Sequence, residues 1–218
     1  MQFHRLAVCA IAAAVMPLAA QAADTFASTT FTLLPGTVPG DFPGQTYGGD
    51  ITGSFPVALD DATARSHVLG GPDGKFLSLP GQTGTPVGSP FPGAYIEVGF
   101  GRNFGASGNL NLFEAGNNGE SAQLFLWTDN GGNIQVQVTR GVNDEISLDL
   151  GAYAGTLASI GGSAFTKVGI GGLDLNGTSK GFDLDAVSLT PVPEPETYAM
   201  MLAGLGIVGW MARRPRPI

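Results

Sequence analysis

Near the end of the chain, two aspartates alternate with apolar residues, as Phe-Asp-Leu-Asp at positions 182–185. Alternate residues of a β-strand share a face. Unbroken alternation would therefore put Asp183 and Asp185 on the face of Val187 and Leu189, which has core character. Buried carboxylates need a cation or several hydrogen-bond donors, and calcium ions prefer oxygen ligands. We predict a structural calcium site with four candidate ligands: Asp183, Asp185, Asp73 and Glu114.

The same residues leave other roles open. Asp73 lies in a Pro-Asp-Gly turn, where an aspartate often caps its own turn. Asp183 and Asp185 can pair with an arginine or with backbone amides rather than with a metal ion. A bulge near Leu184 would instead turn both aspartates towards solvent, and no site would form.

Residues 124–127 read Leu-Phe-Leu-Trp and are apolar at every position. A strand that is buried on both faces has this pattern, so packing in the core is the favoured interpretation. As the alternative, Phe125 and Trp127 form an aromatic platform for a sugar ring, which makes them candidate ligand-binding residues. Tyr95 and Tyr153 are weaker candidates for the same role.

Support for catalysis is weak. Residues 23–190 contain one histidine, His67, and no cysteine. The sequence lacks the serine-hydrolase, zinc-protease and phosphate-loop motifs. Two acids could hydrolyse a glycoside, but only at a separation that the fold decides. We expect His67 to lie at the surface or to cap a helix, and the protein not to be an enzyme. A secreted hydrolase is the least favoured alternative.

Short apolar runs separated by glycine and asparagine recur through residues 23–190 and are typical of an antiparallel sandwich. A hairpin is predicted at residues 129–133. The one predicted helix of this domain covers residues 60–68, with Asp60 as its N-cap. We predict an all-β fold, a two-sheet jelly roll, with strands at residues 27–34, 51–59, 76–79, 95–100, 110–113, 122–128, 134–139, 145–150, 166–171 and 181–189.

The domain at residues 23–190 is acidic. It holds sixteen acidic and six basic residues, which give a formal charge of −10. Such a charge disfavours contact with nucleic acid and other polyanions. We therefore expect no nucleic-acid partner.

Residues 1–22 have the organisation of a secretory signal peptide. His4 and Arg5 form a basic start, an apolar stretch follows, and Ala20-Gln21-Ala22 matches an A-x-A cleavage site. Cleavage would remove Cys9, the only cysteine, and would leave a mature protein without a disulfide or a thiol nucleophile. We expect export by the secretion machinery.

Residues 191–218 form a separate segment. Residues 192–195 read Val-Pro-Glu-Pro and are stiff and extended, because each proline restricts its own φ and the residue before it. Residues 198–212 carry no charge, and three arginines follow. This order predicts a transmembrane helix with a cytoplasmic basic tail. The helix is short, about 22 Å against a hydrocarbon core of about 30 Å.

This segment resembles the PEP-CTERM sorting signal of bacterial envelope proteins. The resemblance implies recognition by an exosortase, a membrane-embedded enzyme that cuts near Pro-Glu-Pro, in a Gram-negative bacterium that makes exopolysaccharide. It also implies anchoring in the inner membrane before processing, and a place at the cell surface or in the extracellular matrix afterwards. Besides the apolar core, the matching residues are Val192, Pro193, Glu194, Pro195, Thr197, Arg213 and Arg214.

Residues 69–189 are similar, more loosely, to galactose-binding-like jelly-roll modules of bacterial cell-surface proteins. The similarity rests on residues 69–79, 95–100, 111–116 and 182–187. It implies a jelly roll that binds glycans and holds a structural calcium ion in many members. We therefore expect an exported surface protein with a structural or adhesive role in the envelope or exopolysaccharide matrix. A lectin-like glycan-binding module, with or without calcium, is the alternative.

Overall fold

The computed structural model of the chain describes residues 23–35, 45–53, 55–81, 93–115, 120–139, 145–173, 181–191 and 202–209. The chain from Asp24 to Val192 forms one compact unit, and its regular structure is mainly antiparallel β-strand.

One sheet has seven strands. They are β1 (Thr25–Phe26), β3 (Tyr47–Asp50), β4 (Val57–Ala58), β5 (Lys75–Leu79), β7 (Asn109–Glu114), β10 (Glu145–Asp149) and β12 (Phe182–Thr190). The hydrogen-bonded order is β10-β7-β12-β5-β3-β4, and β1 pairs with β12 beside this path.

The other sheet has five strands. They are β2 (Thr29–Leu34), β6 (Tyr95–Gly99), β8 (Ser121–Thr128), β9 (Asn133–Thr139) and β11 (Phe165–Leu173). The order is β2-β6-β11-β8-β9, so β11 lies at the centre while β2 and β9 form the edges.

The core contains alternate residues from both sheets, because alternation along each strand directs its apolar side chains to one face. Removal of this apolar surface from water is the main stabilising contribution. The buried side chains include Leu77, Leu79, Leu112, Leu184 and Val187 from the seven-stranded sheet, and Ile96, Leu124, Leu126, Val168 and Ile170 from the five-stranded sheet. The all-β two-sheet sandwich predicted from the sequence is thus confirmed, whereas the jelly-roll topology stays a prediction.

The local signals of the sequence have mixed outcomes. Helix α1 (Asp61–Ser66) begins at the predicted cap, where Asp60 accepts a hydrogen bond from the Thr63 amide at 2.7 Å. The predicted hairpin joins β8 to β9. A 3₁₀ helix (Leu150–Tyr153) and helix α2 (Ala154–Ser159) are additional to the one helix that the sequence predicts within residues 23–190.

The strand predicted at residues 51–59 is wrong. The chain forms β3 before this range, turns at residues 51–53, and forms only the two-residue β4 near its end. The glycines of β3 are the reason, because glycine is uncommon in strands and β3 therefore lacks the residue pattern that predicts one. A Cβ on Gly48 would collide with the backbone of Phe76 in β5, so the close approach of the two strands requires glycine.

Candidate functional site

Strand β12 carries the two predicted metal-binding aspartates, and a β-bulge breaks its alternation. The pairing with β7 shifts register immediately after Leu184. Leu184 and, beyond the bulge, Val187 and Leu189 all belong to the core. Asp183, the neighbour of Leu184, therefore points to the opposite face. The prediction that Asp183 shares a face with Val187 and Leu189 is wrong, because the extra residue of the bulge inverts the alternation.

Asp185 lies at the bulge and is satisfied by backbone amides. It is 7% exposed and accepts hydrogen bonds from the amides of Asp73 at 3.1 Å and Gly74 at 2.9 Å. Burial raises the pKa of Asp185, and the two amides partly oppose this shift. The Asp73 carboxylate caps its own turn by accepting from the Lys75 amide at 3.0 Å. The bulge has therefore not turned Asp185 to solvent.

Asp183 is also buried, but the described residues offer it fewer hydrogen-bond partners. It is 5% exposed and lies opposite Ser78 of β5 on the outer face of the sheet. Among the described residues, its Oδ1 atom has no hydrogen-bond partner. Burial raises the pKa of Asp183 to about 7; the Ser78 hydroxyl opposes this shift and the charge of Glu120 adds to it.

The four predicted calcium ligands do not gather around one point. Glu114 is buried and lies opposite Leu184, so it shares a face with Leu184 rather than with Asp183. Within the described part of the chain, no three acidic, histidine or cysteine side chains are arranged to hold a metal ion. Calcium binding stays a prediction.

Strand β8 separates its apolar residues between two environments. Leu124 and Leu126 lie in the core between the sheets. Phe125 and Trp127 lie on the outer face of the five-stranded sheet, in a second apolar cluster with Tyr95 and Leu173. Phe125 is buried there, with its ring edge-on to Tyr95 at 5.6 Å between centroids, whereas Trp127 is half-buried.

Hydrogen bonds link this outer cluster to a buried ion pair. The Trp127 indole N–H donates to the Tyr95 hydroxyl at 3.0 Å, and that hydroxyl donates to Glu97 Oε1 at 3.0 Å. Lys167 Nζ contacts Glu97 Oε2 at 2.7 Å. Glu97 is 4% exposed, so the lysine compensates a carboxylate that would otherwise lie uncompensated beneath the surface.

The Lys167 ammonium group also lies between two aromatic rings. Its Nζ atom is 5.5 Å from the centroid of Phe31 and 5.1 Å from that of Trp127, within the range of cation–π attraction. Burial alone would raise the pKa of Glu97, but the bonds and charge of Lys167, with bonds from Thr32 and Tyr95, lower it overall. Glu97 and Lys167 therefore form a charged pair at neutral pH.

Gly169 allows this arrangement to form. It lies between Glu97 of β6 and Phe125 of β8 in the pairing of the central strand. A Cβ at this position would collide with the Tyr95 hydroxyl. The absence of a side chain lets the tyrosine extend across β11 towards Trp127.

The sequence-based prediction does not include Glu97, Lys167 or Phe31. A local signal exists for Glu97, because it alternates with core residues and hence shares the face of Tyr95. No local pattern marks Lys167 or Phe31. They join the cluster only through the pairing of β11 and β2 with their neighbouring strands.

A shallow cavity of about 280 Å³ lies elsewhere, and His67 contributes to its wall. His67 is the C-cap of α1, and its Nδ1 atom lies 3.2 Å from the Phe76 carbonyl oxygen, which agrees with the predicted capping role. The cavity lining is Gly49, Asp50, Val57, Leu59, His67 and Lys75.

Comparison with known families matches residues 191–216 to the PEP-CTERM protein-sorting motif. The chain carries a PEP-CTERM sorting signal. This match confirms the resemblance predicted for the carboxyl-terminal segment. A comparison with curated protein sequences finds no significant match.

The PEP-CTERM motif supports an exported, cell-surface protein with an exosortase as its processing partner. The sorting residues predicted from the sequence fall within the matched range and lie outside the described residues; they are Val192, Pro193, Glu194, Pro195, Arg213 and Arg214.

The structure describes the predicted membrane span only at residues 202–209, which form helix α3 with exposed side chains. In the described part of the chain, no helix is long and apolar enough to cross a membrane. The span at residues 198–212 and the signal peptide at residues 1–22 stay predictions, since most of the former and all of the latter lie outside the described residues.

Proposed function

We propose that this PEP-CTERM protein has a non-enzymatic, structural or adhesive role in the cell envelope or exopolysaccharide matrix. Its contact surface for polysaccharide is the outer face of the five-stranded sheet. The observation that carries this proposal is the alignment of Phe31, Lys167 and Trp127 on that face, supported from below by Glu97 and Tyr95.

The chemistry of this face suits sugars. Phe31 is 51% exposed and Trp127 is half-buried, so both can offer apolar surface to the C–H groups of a pyranose ring. The amide-bearing residues Asn133, Gln135 and Gln137 of β9 lie opposite β8 residues of the same face and supply hydrogen-bond donors and acceptors. Aromatic surface beside uncharged amides is a typical lining for carbohydrate contacts.

The negative charge of the protein favours neutral polysaccharides over acidic ones as ligands. The full chain has a formal net charge of −8, and Lys167 on this face is already paired with Glu97. An acidic polysaccharide would meet electrostatic repulsion. The favoured ligand class is therefore a neutral polysaccharide.

Titration of the purified protein with soluble neutral and acidic polysaccharides tests this proposal. We expect saturable binding to a neutral polymer and a loss of at least about tenfold in affinity for Phe31→Ala or Trp127→Ala. Ile51→Ala is the matched control, because Ile51 is 65% exposed and lies outside the five-stranded sheet. Binding that both aromatic substitutions leave unchanged would contradict the proposed surface.

A second candidate function is calcium-dependent glycan binding. Its support is the buried Asp183 carboxylate, whose Oδ1 atom lacks a hydrogen-bond partner among the described residues, beside the Ser78 hydroxyl as a further oxygen. A bound ion would stabilise the fold by about 2.7 kcal/mol at a hundredfold excess over its dissociation constant. We expect Tm to rise with calcium in the wild type and not in Asp183→Asn; a Tm insensitive to calcium and chelator excludes this candidate.

For the sorting signal, we propose cleavage near Pro193-Glu194-Pro195 while the following apolar segment holds the chain in the inner membrane. Replacement of these three residues by alanine should leave uncleaved protein in the membrane fraction. Mass spectrometry of the released wild-type protein should show a chain that ends near Glu194. Released protein with an intact Ile218 terminus would refute this step.

A further inference from the structure

Strand β9 is an edge strand without the features that normally prevent edge-to-edge pairing. It spans seven residues, and its register with β8 runs from Asn133 to Thr139 without a shift. Its sequence, NIQVQVT, contains no charge, proline or glycine. Long, regular and uncharged edges offer unpaired backbone groups to another strand.

The outermost strands β10, β4 and β2, as the structure describes them, are protected. Strand β10 carries acids at both ends, Glu145 and Asp149. Strand β4 has only two residues, and the register of β2 with β6 is interrupted between Thr30 and Leu33. Charges, short length and bulges are the usual protections of natural edges. Among the edges that the structure describes, β9 alone combines length, regularity and lack of charge.

The hairpin determines which backbone N–H and C=O groups of β9 point away from β8. The Thr128 amide donates to the Gly132 carbonyl oxygen at 2.9 Å, so these two residues form a hydrogen-bonded pair. In an antiparallel ladder such pairs alternate with non-bonded ones. The backbone N–H and C=O groups that point towards β8 therefore belong to Ile134, Val136 and Val138. Those that point away from β8 belong to Asn133, Gln135, Gln137 and Thr139.

We propose that β9 is a self-association surface, at which two copies of this chain pair antiparallel and join their five-stranded sheets. Every antiparallel register that uses the backbone groups pointing away from β8 pairs odd-numbered residues with odd-numbered ones. Polar side chains then meet on the outer face, and Ile134, Val136 and Val138 extend the apolar inner face. Pairing centred on Val136 would place Gln135 opposite Gln137 of the second copy and form about eight backbone hydrogen bonds.

A second copy fits this edge better than a charged partner strand. The strand has no charge with which to select an oppositely charged partner, and its alternation of amides and β-branched residues is complementary to itself in a two-fold arrangement. The acidic chain, with a formal net charge of −8, will oppose association at low salt. Association should therefore strengthen as added salt screens the repulsion.

Sedimentation of the purified full-length chain, at protein concentrations from about 1 to 100 µM, tests the proposal. We expect a reversible dimer that strengthens with salt. The double variant Gln135→Lys/Gln137→Lys should raise the dissociation constant at least about tenfold, because lysines at an edge repel a second copy. Ala158→Lys is the matched control, since it adds the same kind of charge at an exposed position of α2 and should leave the dimer intact.

Hydrogen exchange of the wild type gives a test that does not depend on the folding of any variant. The amides of Gln135 and Gln137 should exchange more slowly as the protein concentration rises, while exposed amides of α2 should not change. A chain that is monomeric throughout, a dimer that the double variant retains, or edge amides insensitive to concentration would each overturn the proposal.

Discussion

Each sheet buries a carboxylic acid on the face that points away from the core: Glu97 in the five-stranded sheet and Asp183 in the seven-stranded sheet. Both are about 95% buried, at 4% and 5% exposure. Glu97 has a lysine, a tyrosine hydroxyl and a backbone amide as partners, and its pKa is lowered. Asp183 faces a serine and the charge of Glu120, and its pKa is raised.

The difference shows that burial by itself does not determine the ionisation of an acid. Burial opposes the charged form at both sites, but of the two acids only Glu97 has a cation at hydrogen-bond distance among the described residues. Glu97 is therefore charged at neutral pH and organises the aromatic surface above it. Asp183 retains its proton to a much higher pH. Of the two acids, it is the one at which a bound cation would stabilise the ionised form most.

The largest expected effect is a loss of protein stability, caused by ionisation of Asp183, as pH rises. Its pKa is about 7 in the folded protein against an ordinary value of 3.8, so the folded state holds this proton more tightly than the unfolded chain does. Between about pH 4 and pH 7, this group should lower the unfolding free energy by on the order of 3–4 kcal/mol. Denaturant unfolding should show that Asp183→Asn removes this part of the pH dependence.

Glu97 provides the control of opposite sign. Its pKa lies below the ordinary value of 4.5, so the stability that it contributes is present above pH 4.5 and is lost as pH falls through the folded value. Glu97→Gln should therefore change the pH dependence of the unfolding free energy below about pH 4.5 and leave it unaltered from pH 5 to 7. The contrast between the sheets is contradicted if Asp183→Asn and Glu97→Gln change the pH dependence of stability in the same pH range.

The next largest effect should follow removal of the cation of the five-stranded sheet. Lys167→Met leaves the buried Glu97 carboxylate uncompensated and should lower the unfolding free energy by about 2–3 kcal/mol. The double variant Glu97→Gln/Lys167→Met removes both charges and should recover at least half of this loss. Losses that simply add in the double variant would show that the two groups do not act as a pair.

A smaller loss is expected at Asp185, whose partners are backbone amides rather than a cation. Asp185→Ala should cost about 1–2 kcal/mol, because it leaves the amides of Asp73 and Gly74 without their acceptor. Asp185→Asn retains one acceptor oxygen and should cost less in the same unfolding measurement. Equal stability of the alanine variant and the wild type would remove the structural role assigned to this residue.

The smallest effect concerns the hydroxyl that links Trp127 to Glu97. Tyr95→Phe should lower the unfolding free energy by about 1 kcal/mol, since the indole N–H and one carboxylate oxygen each lose a partner. The tryptophan emission should shift as well. Tyr153→Phe, which removes a hydroxyl far along the chain in the 3₁₀ helix, serves as control and should leave both readouts unchanged.

The sequence by itself determined the sorting signal and the class of fold. The motif at residues 191–216 is contiguous, so its order of Pro-Glu-Pro, apolar stretch and arginines is visible without a structure. The sandwich followed from short apolar runs with turn residues between them, because alternation and turn chemistry are local properties. The cap at Asp60 and the hairpin between β8 and β9 were predictable for the same reason.

Only the tertiary structure decided which side chains meet. The bulge after Leu184 places Asp183 on the face opposite to Val187 and Leu189. No residue type near Leu184 predicts this bulge, because the register is set by pairing with β7. Gly48 and Gly169 have strand roles that depend on what lies beside them in space. Lys167 reaches Glu97 across seventy positions of sequence, since β11 pairs with β6. Long-range pairing brings these groups together, and a local reading of residue types carries no information about it.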